Sequence, residues 1–145
     1  MLKVLIANAS KKKETRFISD FIAEGLRKPG VYINVLDIHD IKGISSLKGY
    51  DAIVFDSAIY IKDLLNKLVI DASNDNKIDF RNKIGGAFGR PGCSDKAIDS
   101  LLHTMKNVLK MDMVNGPLII DSISACSGGR KAKQFGQEIA HKLMN

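Results

Sequence analysis

The residues best suited to chemistry stand in three short stretches, each just past an apolar run. In the first, Asn8-Ala9-Ser10-Lys11-Lys12-Lys13-Glu14-Thr15 separates Val4-Leu5-Ile6-Ala7 from an amphipathic segment. A phosphate placed there meets free backbone N–H groups and the positive end of a helix dipole. Ser10 and Thr15 offer hydroxyl donors, and the lysines add flexible point charges. The same residues also suit a plain helix cap with solvated lysines. The stretch has neither GxGxxG nor the glycine–lysine pattern of a P-loop, so it is not a dinucleotide fingerprint or a Walker loop.

The second stretch is Asp56-Ser57-Ala58-Ile59-Tyr60, at the end of Ala52-Ile53-Val54-Phe55. An aromatic ring just past a buried strand can stack on a planar ligand and keep its hydroxyl in water, or simply close the edge of a core. The third is Phe88-Gly89-Arg90-Pro91-Gly92-Cys93-Ser94-Asp95. Its glycines and proline impose a tight path and let a ligand approach the backbone, and Ser94 or Asp95 can cap a following helix. A plain connecting turn is the competing reading.

The elements that must position these loops follow from periodicity. Continuous apolar runs suit strands buried on both faces. They occur at 4–7, 32–36, 51–55, 84–88 and 117–120. Phe17, Ile18, Phe21, Ile22 and Leu26 predict a first helix from Thr15 to Arg27, closed by Pro29-Gly30. Leu64, Leu65, Leu68 and Val69 predict a second, fading into the polar 71–77 segment. Ile98, Leu101, Leu102, Met105, Val108 and Leu109 predict a third, and Phe135, Ile139 and Leu143 the last. Gly85-Gly86-Ala87 gives the fourth strand small residues against which helices can pack closely. Strands alternating with helices imply a parallel sheet covered on both faces. Ligands in such sheets bind beyond the carboxyl ends of the strands, at the switch point of strand order.

The bulk properties are those of one soluble α/β domain spanning residues 1–145. The chain is 45% hydrophobic and 26% charged, with a net charge of +6. No apolar stretch approaches the ~20 residues of a membrane helix, and the opening run is too short for a signal peptide. A cytoplasmic location is expected. Cys93 and Cys126 lack metal or CxxC spacing and read as free thiols. The basic residues are spread along the chain apart from Lys11-Lys12-Lys13, with no interleaved aromatics for stacking bases. A basic surface can attract nucleic acid, membrane headgroups or an acidic protein; here neither nucleic acid nor a membrane is expected as partner.

The three loops in this order resemble those of flavodoxins, most closely the flavodoxin domain of flavodiiron proteins. Residues 86–97 are similar to that family's third flavin loop, and 51–60 to its strand ending in glycine-serine-proline-threonine-tyrosine. Ile22-Ala23-Glu24-Gly25-Leu26 matches its first helix. The resemblance implies a three-layer, doubly wound, five-stranded parallel sheet of order 2-1-3-4-5 that binds FMN without a covalent link. By position, Ser10, Lys11, Lys12, Lys13, Glu14 and Thr15 would wrap the phosphate. Ser57, Ala58, Ile59, Tyr60 and Ile61 would flank one side of the flavin ring. Gly89, Arg90, Pro91, Gly92, Cys93 and Ser94 would flank the other. Departures from the family pattern fall in the same places. Lys12, Lys13 and Glu14 replace threonine, glycine and asparagine, Asp56 replaces glycine, and Cys93 stands for an aromatic ring.

The resemblance implies an electron carrier with no catalytic side chain and no metal, served by a redox partner with an acidic docking surface. Two alternatives share the fold: a regulatory or scaffold module that has lost FMN, and an NAD(P)H-dependent FMN reductase. A phospho-receiver domain would keep its accepting aspartate where Asp56 stands. It would also need an acidic pair after the first strand and a lysine after the fifth, and this chain has Asn8-Ala9-Ser10 and Asp121-Ser122 there.

Overall fold

The computed structural model describes residues 1–9, 13–41, 44–57, 79–89, 95–114, 116–120 and 128–145. Their strands are β1 (Leu2–Asn8), β2 (Val31–Asp37), β3 (Ala52–Asp56), β4 (Ile84–Gly89), β5 (Asp112–Met113) and β6 (Leu118–Ile119). Their α-helices are α1 (Lys13–Leu26), α2 (Asp95–His103) and α3 (Gly128–Leu143). The helix expected around Leu64–Val69 lies outside the described residues.

All pairings are parallel and the order is β2-β1-β3-β4-β5, with β6 also paired to β4. The expected order 2-1-3-4-5 therefore holds, with one refinement. The fifth lane is shared by two short strands, β5 beside Ile84-Gly85 and β6 beside Phe88-Gly89.

The apolar runs of β1, β3 and β4 are buried because each of these strands feeds two cores, whereas the run at 32–36 lies on the edge strand β2 and leaves Tyr32 and Leu36 exposed. Val4, Ile6 and Val54 point to one face, under Ile18 and Ile22 of α1 and Phe135 and Ile139 of α3. Leu5, Ala7, Ile53 and Phe55 point to the other, with Leu101 of α2 and Met105 and Met111 beyond it. Alternate residues of one strand thus anchor opposite helical layers.

Small residues set how closely these layers approach. A Cβ on Gly86 would stand 2.9 Å from the Phe135 ring, and one on Gly136 only 2.1 Å from the Ile22 carbonyl oxygen. The second contact puts the backbones of α1 and α3 against each other, so Gly136 cannot carry a side chain there.

α1 begins two residues earlier than the periodicity predicts. Lys13 and Glu14 belong to its first turn rather than to a loop, in keeping with the good helix propensity of both. After α2 the chain winds through a π-helical turn (Thr104–Val108) to Lys110, whose φ of 59° is left-handed. No helix among the described residues is long and apolar enough to cross a membrane.

Candidate functional site

Parallel pairing brings the carboxyl ends of the strands level. Asn8 lies beside Asp37, Ala7 beside Phe55, Asp56 beside Phe88, and Gly89 beside Ile119. The three sequence stretches all depart from this end, and α1 starts there.

The beginning of the first loop is held from two sides. Asn8 is buried, and the Ser19 hydroxyl of α1 donates to its Oδ1 at 2.5 Å. Ser19 Oγ also lies 3.1 Å from the Thr15 carbonyl oxygen, the i−4 approach common for serine within a helix. On the other side the Ala9 N–H donates to Asp56 Oδ2 at 3.2 Å. Asp56, 5% exposed, is thus a strap from β3 to the loop after β1. This is a structural use for the Asp56 carboxylate. It also sets aside the receiver reading, which needs that carboxylate open to a phosphoryl donor.

Ser57 continues β3 by donating its N–H to the Phe88 carbonyl at 2.8 Å. Its side chain lies against Gly89, where an added Cβ would come within 2.4 Å of Ser57 Oγ. The residue is 2% exposed, and its Oγ has no hydrogen-bond partner among the described residues. Leaving a buried hydroxyl unpaired costs roughly 1–3 kcal/mol. Such an atom at the open end of a parallel sheet is a donor that the polar edge of a ligand would satisfy.

Lys13 and Arg16 put two positive charges in the first turns of α1, where the helix dipole disfavours cations by roughly 0.3–1 kcal/mol each. Arg16 lies 3.8 Å from Asp20. Lys13 has no ion-pair partner among the described residues, so an anion at this helix start would relieve it. Lys13 lines a cavity of about 460 Å³ with Asn8, Phe17, Leu36, Asp37 and Asp40. Among the described residues no group of His, Cys, Asp or Glu could hold a metal.

Of the residues expected from sequence, the structure thus brings Lys13, Thr15, Ser57 and Gly89 to the carboxyl end. Glu14 joins them through its backbone. Ser10, Lys11, Lys12, Ala58, Ile59, Tyr60, Ile61, Arg90, Pro91, Gly92, Cys93 and Ser94 lie outside the described residues, as does Cys126. The Asn8–Ser19 bond was missed. Its signal was a lone polar residue closing an otherwise apolar strand.

No protein-family model matches the chain, and no curated protein is significantly similar to it in sequence. Solved structures do match. A flavodoxin from the domain Archaea is 21% identical with a TM-score of 0.74, over 99% of this chain and 100% of that one. Flavodoxin 1 from Bacillus cereus is 24% identical with a TM-score of 0.73, over 96% and 97%. The flavodiiron protein from Giardia intestinalis is 16% identical with a TM-score of 0.75. That match covers 98% of this chain and 36% of that one. At these identities the likeness fixes the fold.

Proposed function

We propose that this chain, which has the flavodoxin fold, holds FMN at the carboxyl end of its sheet and carries electrons between proteins. The observation that carries the reading is the buried Ser57 Oγ, which has no hydrogen-bond partner among the described residues. It stands at the end of β3 beside Gly89 of β4, one residue after the Asp56 that holds the loop following β1.

Each residue then has a task. Lys13 and the backbone at the start of α1 would hold the phosphate, and the resemblance assigns Ser10, Lys11, Lys12, Glu14 and Thr15 to the same task. Ser57 would offer its hydroxyl to the ligand, and the resemblance assigns 58–61 and 89–94 to its two sides. Asn8, Ser19 and Asp56 fix where the phosphate loop begins. Bound FMN would supply the electron chemistry, taking up and releasing electrons one at a time. The Asp56 carboxylate, close to the ring's expected place, disfavours negative charge on it and lowers the potential for the second electron. The net charge of +6 suits a redox partner with an acidic docking surface.

The purified protein should be yellow or become so with FMN, and should quench FMN fluorescence at one site per chain. Replacing Lys12→Glu together with Lys13→Glu should weaken FMN far more than riboflavin, which has no phosphate. Absence of quenching at high micromolar protein would refute the reading.

A further inference from the structure

We propose that the amino-terminal end of the sheet, opposite the candidate cofactor site, docks on an anionic lipid surface. Hydrogen bonds tie this end into one continuous edge. Leu2 N–H donates to Gly30 O, Asp51 N–H to Lys3 O, Ile84 N–H to Asp51 O, and Asp112 N–H to Lys83 O. Five strand lanes at ~4.8 Å spacing make that edge about 20 Å wide.

Lys3, Arg27, Lys28, Lys48, Lys106 and Lys110 all lie on or beside it, and all are exposed. They come from the start of β1, the end of α1, the turn before β3 and the segment between α2 and β5. None has an ion-pair partner among the described residues. Three of the acidic groups described at this end are engaged, and Glu138 of α3, near Asp112, adds one further carboxylate. Asp51 Oδ2 accepts from Lys3 N–H at 2.8 Å, Asp79 is 3.0 Å from Arg81, and Asp112 is 2.8 Å from Lys142. Six exposed cations without an ion-pair partner among the described residues are therefore brought to this end by the fold, although they are scattered in sequence, which is why the sequence alone gives no reason to expect a membrane.

Three features favour lipid over other polyanions. The cations are mostly lysines, flexible point charges suited to a diffuse anionic plane rather than to bidentate phosphate recognition. They issue from elements on both faces of the sheet, so they cover a broad area instead of a groove. Among them Tyr32, which pairs with Lys3 in register, is 48% exposed and Val108 is 56% exposed. An amphipathic ring and a small apolar side chain beside lysines match the interface of an acidic bilayer. A single exposed tyrosine does not make a stacking platform for bases. Docked this way, the chain turns its carboxyl end outward.

The test uses the full chain, with or without FMN, and so stands apart from the flavin reading. Sedimentation is measured with phosphatidylcholine vesicles, and with vesicles containing about a third phosphatidylserine, at low and high salt. Binding is expected only to the anionic vesicles and should disappear at high salt. Lys106→Gln with Lys110→Gln should lower the partition coefficient about fivefold per charge removed. Arg130→Gln with Lys131→Gln, in the first turn of α3, should change it less than twofold. Lys110→Gly gives a second variant that relieves the positive φ, so it should melt no lower than the parent yet bind vesicles more weakly. The proposal is overturned by no binding to anionic vesicles, by equal losses from both pairs, or by stronger binding to polyglutamate or single-stranded RNA at the same salt.

Discussion

The two ends of the sheet are made from the same strands but treat their polar groups in opposite ways. At the amino end the buried or edge-strand groups are paired within the chain, and the charges left over are exposed. The buried Lys83 donates its ammonium to the carbonyls of Lys48 and Tyr50. Burial pushes its pKa down, while Asp51 and Asp79 pull it back up. Lys142 caps the Met113 carbonyl on the edge strand and pairs with Asp112. At the carboxyl end Asn8, Ser19 and Asp56 position a loop, and Ser57 Oγ has no partner among the described residues. Groups closed on themselves add to stability, whereas a buried hydroxyl left open lowers it and keeps a contact in reserve for a ligand. The comparison teaches that stability and binding should separate by end.

The largest expected effect tests the closed end. Lys83→Met removes the donor to two part-buried carbonyls and should cost about 1–3 kcal/mol in urea unfolding, with FMN affinity unchanged. The folded state lowers the pKa of Lys83 from its ordinary 10.5, so the unfolded chain binds more protons just below that value. Wild-type stability should therefore rise with pH as the lysine range is approached, and the variant should lack that rise. A variant that also lost FMN would break the separation.

Next in size, Ser19→Ala leaves Asn8 Oδ1 buried without its donor. It should cost about 1–2 kcal/mol and also weaken FMN, because the phosphate loop loses one of its two supports. Calorimetric melting and FMN titration on the same sample read both effects. Lys110→Gly should gain about 0.5–1 kcal/mol by removing a side chain from a left-handed conformation, again without touching FMN. The smallest change in stability, and the sharpest contrast, belongs to Ser57→Ala. Deleting a hydroxyl with no partner among the described residues should leave the melting temperature level or slightly higher while lowering FMN affinity several-fold. A clear loss of stability would show that Ser57 serves the fold instead.

Much of the architecture was legible because burial on both faces leaves a plain mark. Val4–Ala7 and Ala52–Phe55 can be read as central strands without a structure, and Phe135 and Ile139 fix the inner face of α3. β5 was not legible, since two residues, one of them aspartate, carry no periodicity. The site was legible by position, as loops following strands. The Asn8–Ser19 bond joins a strand to a helix across a loop, and the Ala9–Asp56 bond spans 47 positions, so local pattern could not announce either. The basic end was hidden for the same reason. Lys3, Lys48 and Lys110 become neighbours only when parallel crossovers return each strand start to one edge.

The most direct test of the central claim is an amide NMR titration of the ¹⁵N-labelled chain with FMN. Saturating shifts are expected at Asn8, Ala9, Lys13, Ser57 and Gly89, with Lys3, Lys83 and Lys110 unmoved. A spectrum that does not respond to FMN, or shifts concentrated at the amino end, would contradict the account.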